Sequence, residues 1–142
     1  MEAPIATETQ PTRKPARSKL TAQTSEAKHA ALQAARFALE KKAEDIKVFD
    51  LRKLTSITDF FVICTGSTDT QVRAIADHIA DQFAEEGNKP WHIEGLERSQ
   101  WILLDYVNFV VHVFDPKTRE YYGLERLWGD ADFQEVRDEL GD

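Results

Sequence analysis

The strongest constraint on this chain is the run Asp59-Phe60-Phe61-Val62-Ile63-Cys64-Thr65. Its large apolar residues follow one another without alternation, so a strand made from them needs cover on both faces. Gly66-Ser67-Thr68 ends the run, and Thr68 with Gln71 forms a T-x-x-Q capping box that opens a helix. Val72, Ile75, Ala76, Ile79 and Phe83 then recur at helical spacing until Gly87-Asn88 stops them. A strand covered on both faces and followed at once by an amphipathic helix predicts an α/β domain.

The flanking segments extend this pattern. Residues 25–42 are Ala-rich and place Leu32, Ala35 and Leu39 on one helical stripe, with Ala31, Ala34 and Ala38 beside it. Residues 46–50 read as a short strand. Three more are expected over 91–95, 101–105 and 109–115, and their linkers are too short for parallel crossovers, so they should pair antiparallel. Asp115-Pro116 marks a helix start, and the segment to Trp128 reads as broken helix closed by Gly129. Tyr121, Leu124 and Trp128 share one face there, with Leu127 next to it, and residues from Asp130 on are expected to fray. The expected architecture is a mixed sheet of about five strands flanked by helices. Its domain spans residues 26–130, between a flexible tail over 1–25 and an acidic tail over 131–142.

Charge narrows the partners. The net charge is −7, and residues 1–25 hold Arg13, Lys14, Arg17 and Lys19 against Glu2 and Glu8, which leaves −9 on the remainder. Such a body binds nucleic acid poorly, because that affinity comes from Lys and Arg neutralising phosphates. Little or no direct nucleic-acid binding is expected, and a basic protein is the better partner. No apolar stretch is long enough to span a bilayer, and no secretory apolar segment opens the chain. Glu2 and Glu8 fit poorly with an organelle transit peptide. The single cysteine, Cys64, implies a reducing compartment, so the cytoplasm is expected ahead of an organelle matrix.

Candidate chemistry is thin. The Gly66-Ser67 turn is of the kind that cradles phosphate in a nucleotidyltransferase, but that reaction needs a pair of carboxylates on the next strand to hold Mg²⁺. That strand offers His92 and Glu94, with Asp105 one strand later, so a helix cap is the better reading. Cys64 lies mid-strand among bulky apolar residues, where a thiolate is disfavoured. His29, His78, His92 and His112 lack metal-ligand spacing. No catalytic residue, metal or cofactor is expected. The strands over 101–105 and 109–115 are apolar on both faces, with His112 in an apolar row. They read either as plain core or as a face left partly open, on which Trp101 would anchor a protein.

Ordered blocks across the chain resemble the ribosomal silencing factor (Iojap-like) family. They are Lys42-Ala43-Glu44-Asp45-Ile46, Ile57 through Ser67, Gln71 through Asp77, Glu94-Gly95, Trp101, Leu104-Asp105, Val110 through Phe114, Arg119 through Tyr122, and Leu124 through Asp130. The resemblance covers roughly residues 28–130. It implies a nucleotidyltransferase-like fold without the catalytic carboxylates and no enzymatic activity. It also implies binding to the large ribosomal subunit through ribosomal protein fourteen, steric blocking of subunit joining, and a homodimer when free. Carried over as partner-contacting are Glu94, Gly95, Trp101, Asp105, His112, Tyr122, Leu127 and Trp128, with Trp101 foremost. One departure stands out: Tyr106-Val107-Asn108 replaces the family's usual Tyr-Gly-Asp, so the turn before the Val-Val-His strand is made without glycine.

Overall fold

The computed structural model describes residues 20–137, with side chains from residue 26 onward. The expected tail over 1–25 lies outside the described residues up to residue 19, as do residues 138–142 of the expected acidic tail. Helix α1 (Leu20–Glu40) is followed by β1 (Glu44–Asp50), β2 (Phe60–Thr65), α2 (Asp69–Glu85), β3 (His92–Glu94), β4 (Trp101–Asp105) and β5 (Phe109–Phe114). Two short helices, α3 (Pro116–Tyr122) and α4 (Leu124–Leu127), lead to β6 (Asp132–Val136). The sheet order is β3-β4-β5-β2-β1-β6, with β2 and β5 parallel at its centre and every other pair antiparallel. The β3-β4-β5 antiparallel meander is the expected one.

Helix α1 starts at Leu20, five residues before the expected position, because nothing in residues 20–25 breaks a helix. The stripe that meets the sheet is alanine: Ala27, Ala31, Ala34, Ala35 and Ala38 are buried, while Leu32 and Leu39 pack only at the margin of this core. Small side chains let the helix lie close on β2, which is buried along its whole length as the apolar run requires. In α2 the Thr68 hydroxyl caps the Gln71 N–H at 3.1 Å, and the Gln71 amide oxygen reaches back to the N–H of Ser67 at 2.7 Å. The capping box is thus closed one residue earlier than its usual form.

Two expectations are corrected at the C-terminal end. The sheet has six strands, because residues 132–136 do not fray but pair with the free edge of β1. Their acidic composition conceals one anchor: Phe133 stacks on Phe49 at 5.3 Å, with the Lys47 ammonium over its ring. Second, Gly123 takes a left-handed backbone (φ 58) between α3 and α4, which resets the helical phase. Tyr122, Leu124 and Trp128 therefore pack on the sheet, and Tyr121 points outward at 77% exposure.

Candidate functional site

The two faces of the sheet are covered unequally. Helices α1 and α2 close one, and the other has only the short α3–α4 segment with Ala131. Strand register sets three rows on this second face: His92, Asp105, Val110 and Phe61; Glu94, Leu103, His112 and Ile63; Trp101, Phe114 and Thr65. Every residue expected to touch a partner belongs to these rows, to the turn beside them, or to α3–α4.

Trp101 sits at the centre and is only 6% exposed. Its indole stacks on Phe114 at 4.8 Å and against Tyr122 at 5.1 Å, and its Nε1–H donates to Nδ1 of His112 at 3.0 Å. That bond fixes the tautomer: Nδ1 accepts, so the neutral ring carries its proton on Nε2, which has no hydrogen-bond partner among the described residues. Burial pushes the imidazole down to about 3, which keeps it neutral. The ring meets Phe61 edge to face at 4.5 Å, and Phe61 in turn meets Trp128 at 5.9 Å. A continuous aromatic base thus runs from Tyr122 through Trp101, His112 and Phe61 to Trp128.

The expectation of an open strand face with Trp101 as its anchor is corrected by this geometry. Trp101, Asp105 and His112 are all buried, and Trp101 packs under Tyr122 of α3, so none of the three is presented on the surface. Asp105 instead accepts from the N–H of Val107 at 2.8 Å and shapes the β4–β5 turn. Glu94, Tyr122 and Trp128 are half-buried, Gly95 is exposed, and Leu127 is 73% exposed. Glu94 pairs with His92 at 2.7 Å. Gly95 is glycine because its φ is +90 and any Cβ there would run into the Trp101 carbonyl.

Sequence reasoning missed two features. Tyr121 is the most exposed large apolar residue described, and only the phase change at Gly123 shows it. Arg119, buried at the inner side of α3, locks that helix to the sheet. Its Nε donates to Glu125 at 2.7 Å, and its Nη1 donates to the Asp45 carbonyl at 2.8 Å and to Thr65 Oγ1 at 2.7 Å. The Arg119 hydrogen bond, aided by Lys47, holds the Glu125 carboxyl below the usual carboxylate range.

The other candidate chemistry finds no support in the geometry. The donors of the Gly66-Ser67 turn are already engaged, Gly66 N–H by the Phe114 carbonyl and Ser67 by Gln71. Burial pushes the Cys64 thiol up to about 12, far from a reactive thiolate. Among the described residues no three His, Cys, Asp or Glu side chains gather as metal ligands.

Comparison with known proteins gives one answer at each level. Residues 24–141 match the family model described as "Ribosomal silencing factor during starvation". A Bacillus subtilis protein named ribosomal silencing factor RsfS is 46% identical over 92 residues, covering 65% of this chain and 78% of that one. The chloroplastic Iojap protein of Zea mays is 37% identical over 101 residues, 71% of this chain and 44% of that one. A Chromobacterium violaceum crystal structure superposes with a TM-score of 0.67 at 32% identity, covering 82% of this chain and 95% of that one.

Proposed function

This chain belongs to the ribosomal silencing factor family, and from that membership we propose that it silences by standing on the large subunit where the small subunit must dock. As a family member it is a non-enzymatic regulator of translation that binds the large ribosomal subunit. The finer reading concerns partner and surface. Ribosomal protein fourteen is the partner. The contact surface is made by Tyr121 and Leu127 with the half-buried Tyr122 and Trp128, and has Glu94 and Gly95 at its border. Trp101, Asp105 and His112 act as positioning residues underneath.

The observation that carries this reading is two exposed apolar side chains, Tyr121 and Leu127, which we take as one ridge; each adjoins in the chain a residue, Tyr122 or Trp128, that packs on the buried aromatic base. Exposed apolar residues cost little to desolvate, and a pre-ordered support means that little entropy is lost on docking. The acidic charge of the body favours a basic protein surface over bare RNA. Free chains would cover the same ridge by pairing as homodimers, and one copy would leave its partner on reaching the ribosome. The higher identity to the bacterial relative than to the chloroplastic one favours work in a bacterial cytoplasm.

Co-sedimentation with isolated large subunits tests the surface. A Tyr121→Ala/Leu127→Ala variant should keep the wild-type melting temperature, because both side chains are exposed, and should bind about tenfold more weakly. Unchanged affinity would reject the ridge as the contact. Trp101→Ala is the wrong probe, since it removes buried packing and a hydrogen bond together with any binding effect.

A further inference from the structure

We propose that Arg119, Glu125 and Lys47 are positioning residues of the docking surface: their ionic clasp across the Gly123 break holds Leu127 where the ribosomal partner meets it. This deepens the reading above and rests on it, since Tyr121 and Leu127 are the side chains so placed.

The need for a clasp follows from the local chain. Tyr121 stands on α3 and Leu127 on α4. Between them Gly123 takes its left-handed backbone, so no continuous helix fixes one against the other. Helix α4 is four residues long, has no fully buried residue and no side-chain cap at its start. A helix that short does not hold itself, because nucleation costs more than a single turn returns. Its apolar grip on the sheet is partial too, for Leu124 and Trp128 are only half-buried. The orientation of α4 is therefore set from outside the helix.

Glu125 supplies that hold. One carboxylate oxygen accepts from Arg119 Nε at 2.7 Å, and the other accepts from Lys47 Nζ at 3.2 Å. Arg119 stands on the α3 side of the break, and its Nη1 donates at the same time to the Asp45 carbonyl and to Thr65 Oγ1. Lys47 belongs to β1. A single carboxylate thus ties α4 to α3 and, through two cations, to β1 and β2. Arg119 is buried, and Lys47 and Glu125 are half-buried. Charge-assisted bonds shielded in this way fix geometry better than exposed pairs do. The planar guanidinium fork meets its acceptors in set directions, which a lysine ammonium on a flexible stem does not reproduce. None of this requires the three residues to touch the partner.

The rates at which the full chain associates with and leaves isolated large subunits test the clasp. A residue that pre-orders the surface decides how many encounters succeed, so its loss slows association. A residue that touches the partner mainly slows departure, so its loss hastens dissociation. Arg119→Lys and Glu125→Ala should each associate about fivefold more slowly, with dissociation close to wild type. Glu125→Gln, which keeps an acceptor for Nε, should recover part of the rate. Leu127→Ala should instead dissociate faster. Asp77→Ala removes the same charge from the exposed Arg73 pair on α2 and should behave as wild type. Urea unfolding checks that each variant is folded during the assay, and Glu125→Ala, which opens no buried cavity, keeps the test available if Arg119→Lys does not fold. Unchanged association in the clasp variants, faster dissociation in place of slower association, or equal slowing by Asp77→Ala overturns the proposal and leaves the ridge reading standing. Wild-type binding by Tyr121→Ala/Leu127→Ala would remove both.

Discussion

The residue that stands where the family's usual Tyr-Gly-Asp turn has glycine also sits in an unfavourable backbone. Val107 occupies φ +76 in the turn between β4 and β5, where a β-branched side chain is rarely found. The Asn108 N–H bonds back to the Tyr106 carbonyl at 2.9 Å, closing a tight γ-turn around it. Its surroundings hold it there: Asp105 accepts from its N–H, Thr58 donates to its carbonyl at 3.1 Å, and the Asp59 N–H bonds to Asn108. A left-handed conformation costs a side-chain-bearing residue roughly 1–2 kcal/mol, and glycine gives back part of that through its greater freedom when unfolded. Val107→Gly should therefore stabilise the fold by about 1 kcal/mol, read as a raised midpoint in urea unfolding. A lowered midpoint would mean that valine packing at the turn outweighs the strain. His112 governs a different response. Its folded pKa of about 3 lies below the ordinary 6.5, so the unfolded chain takes up a proton first as pH falls. Stability is complete above pH 6.5 and declines towards pH 3, by up to about 1.4 kcal/mol per pH unit. Between pH 7.5 and 5.5 the urea midpoint should drop, and His112→Asn, which keeps an acceptor for Trp101, should flatten that drop. Asp50, lowered chiefly by its Arg52 hydrogen bond, and Glu125, lowered by Arg119, weaken the fold only below their ordinary carboxylate range. An equal drop in His112→Asn would assign the effect to other groups.

At the scale of elements, what the sequence displays is what local physics decides. Strand β4 falls on the expected residues, and β5 and α2 nearly so, because unbroken apolar runs and a capping pair announce them. Asp115 caps α3 through the Thr118 N–H at 2.8 Å with Pro116 at the first turn, as the dipeptide foretells. Strand β6 is illegible for the opposite reason. Asp132, Gln134 and Glu135 carry no strand signal of their own, and the segment is ordered by the free edge of β1 and by Phe49, which are remote in sequence. The site divides in the same way. The residue types around Trp101 and His112 are visible in the sequence, and the burial of both is not, since it depends on how Gly123 re-phases α3–α4 over the sheet. Tyr121 and Tyr122 are adjacent, yet one is solvent-facing and the other lies against Trp101, a distinction that helical periodicity without the break assigns the wrong way round. The Arg119 lock joins α3 to the start of β1 and the end of β2 over more than fifty residues of sequence. Nothing local marks an arginine for burial.

At the scale of the whole molecule, silencing by occupancy has a consequence that chemistry on the ribosome would not share. A domain that blocks by filling space acts once per bound copy, so inhibition of subunit joining should rise with the chain and level off near one copy per large subunit. It should also depend on order of addition. The surface that the chain must reach is the one closed off when the subunits join, and docking of two sizeable surfaces excludes a third body from the same area. Chain mixed with large subunits before the small ones arrive should therefore prevent joining, with light scattering staying at the level of separate subunits. Added to ribosomes already joined, it should lower the signal no faster than the subunits part by themselves, because it can capture only those already open. An acidic domain without a nucleotide-hydrolysing site has binding energy alone to spend, and that energy is realised only once the face is free. Joined ribosomes that come apart faster as more chain is added would show that it engages a surface still exposed in the joined particle and opens it from there, which occupancy of the docking face cannot do.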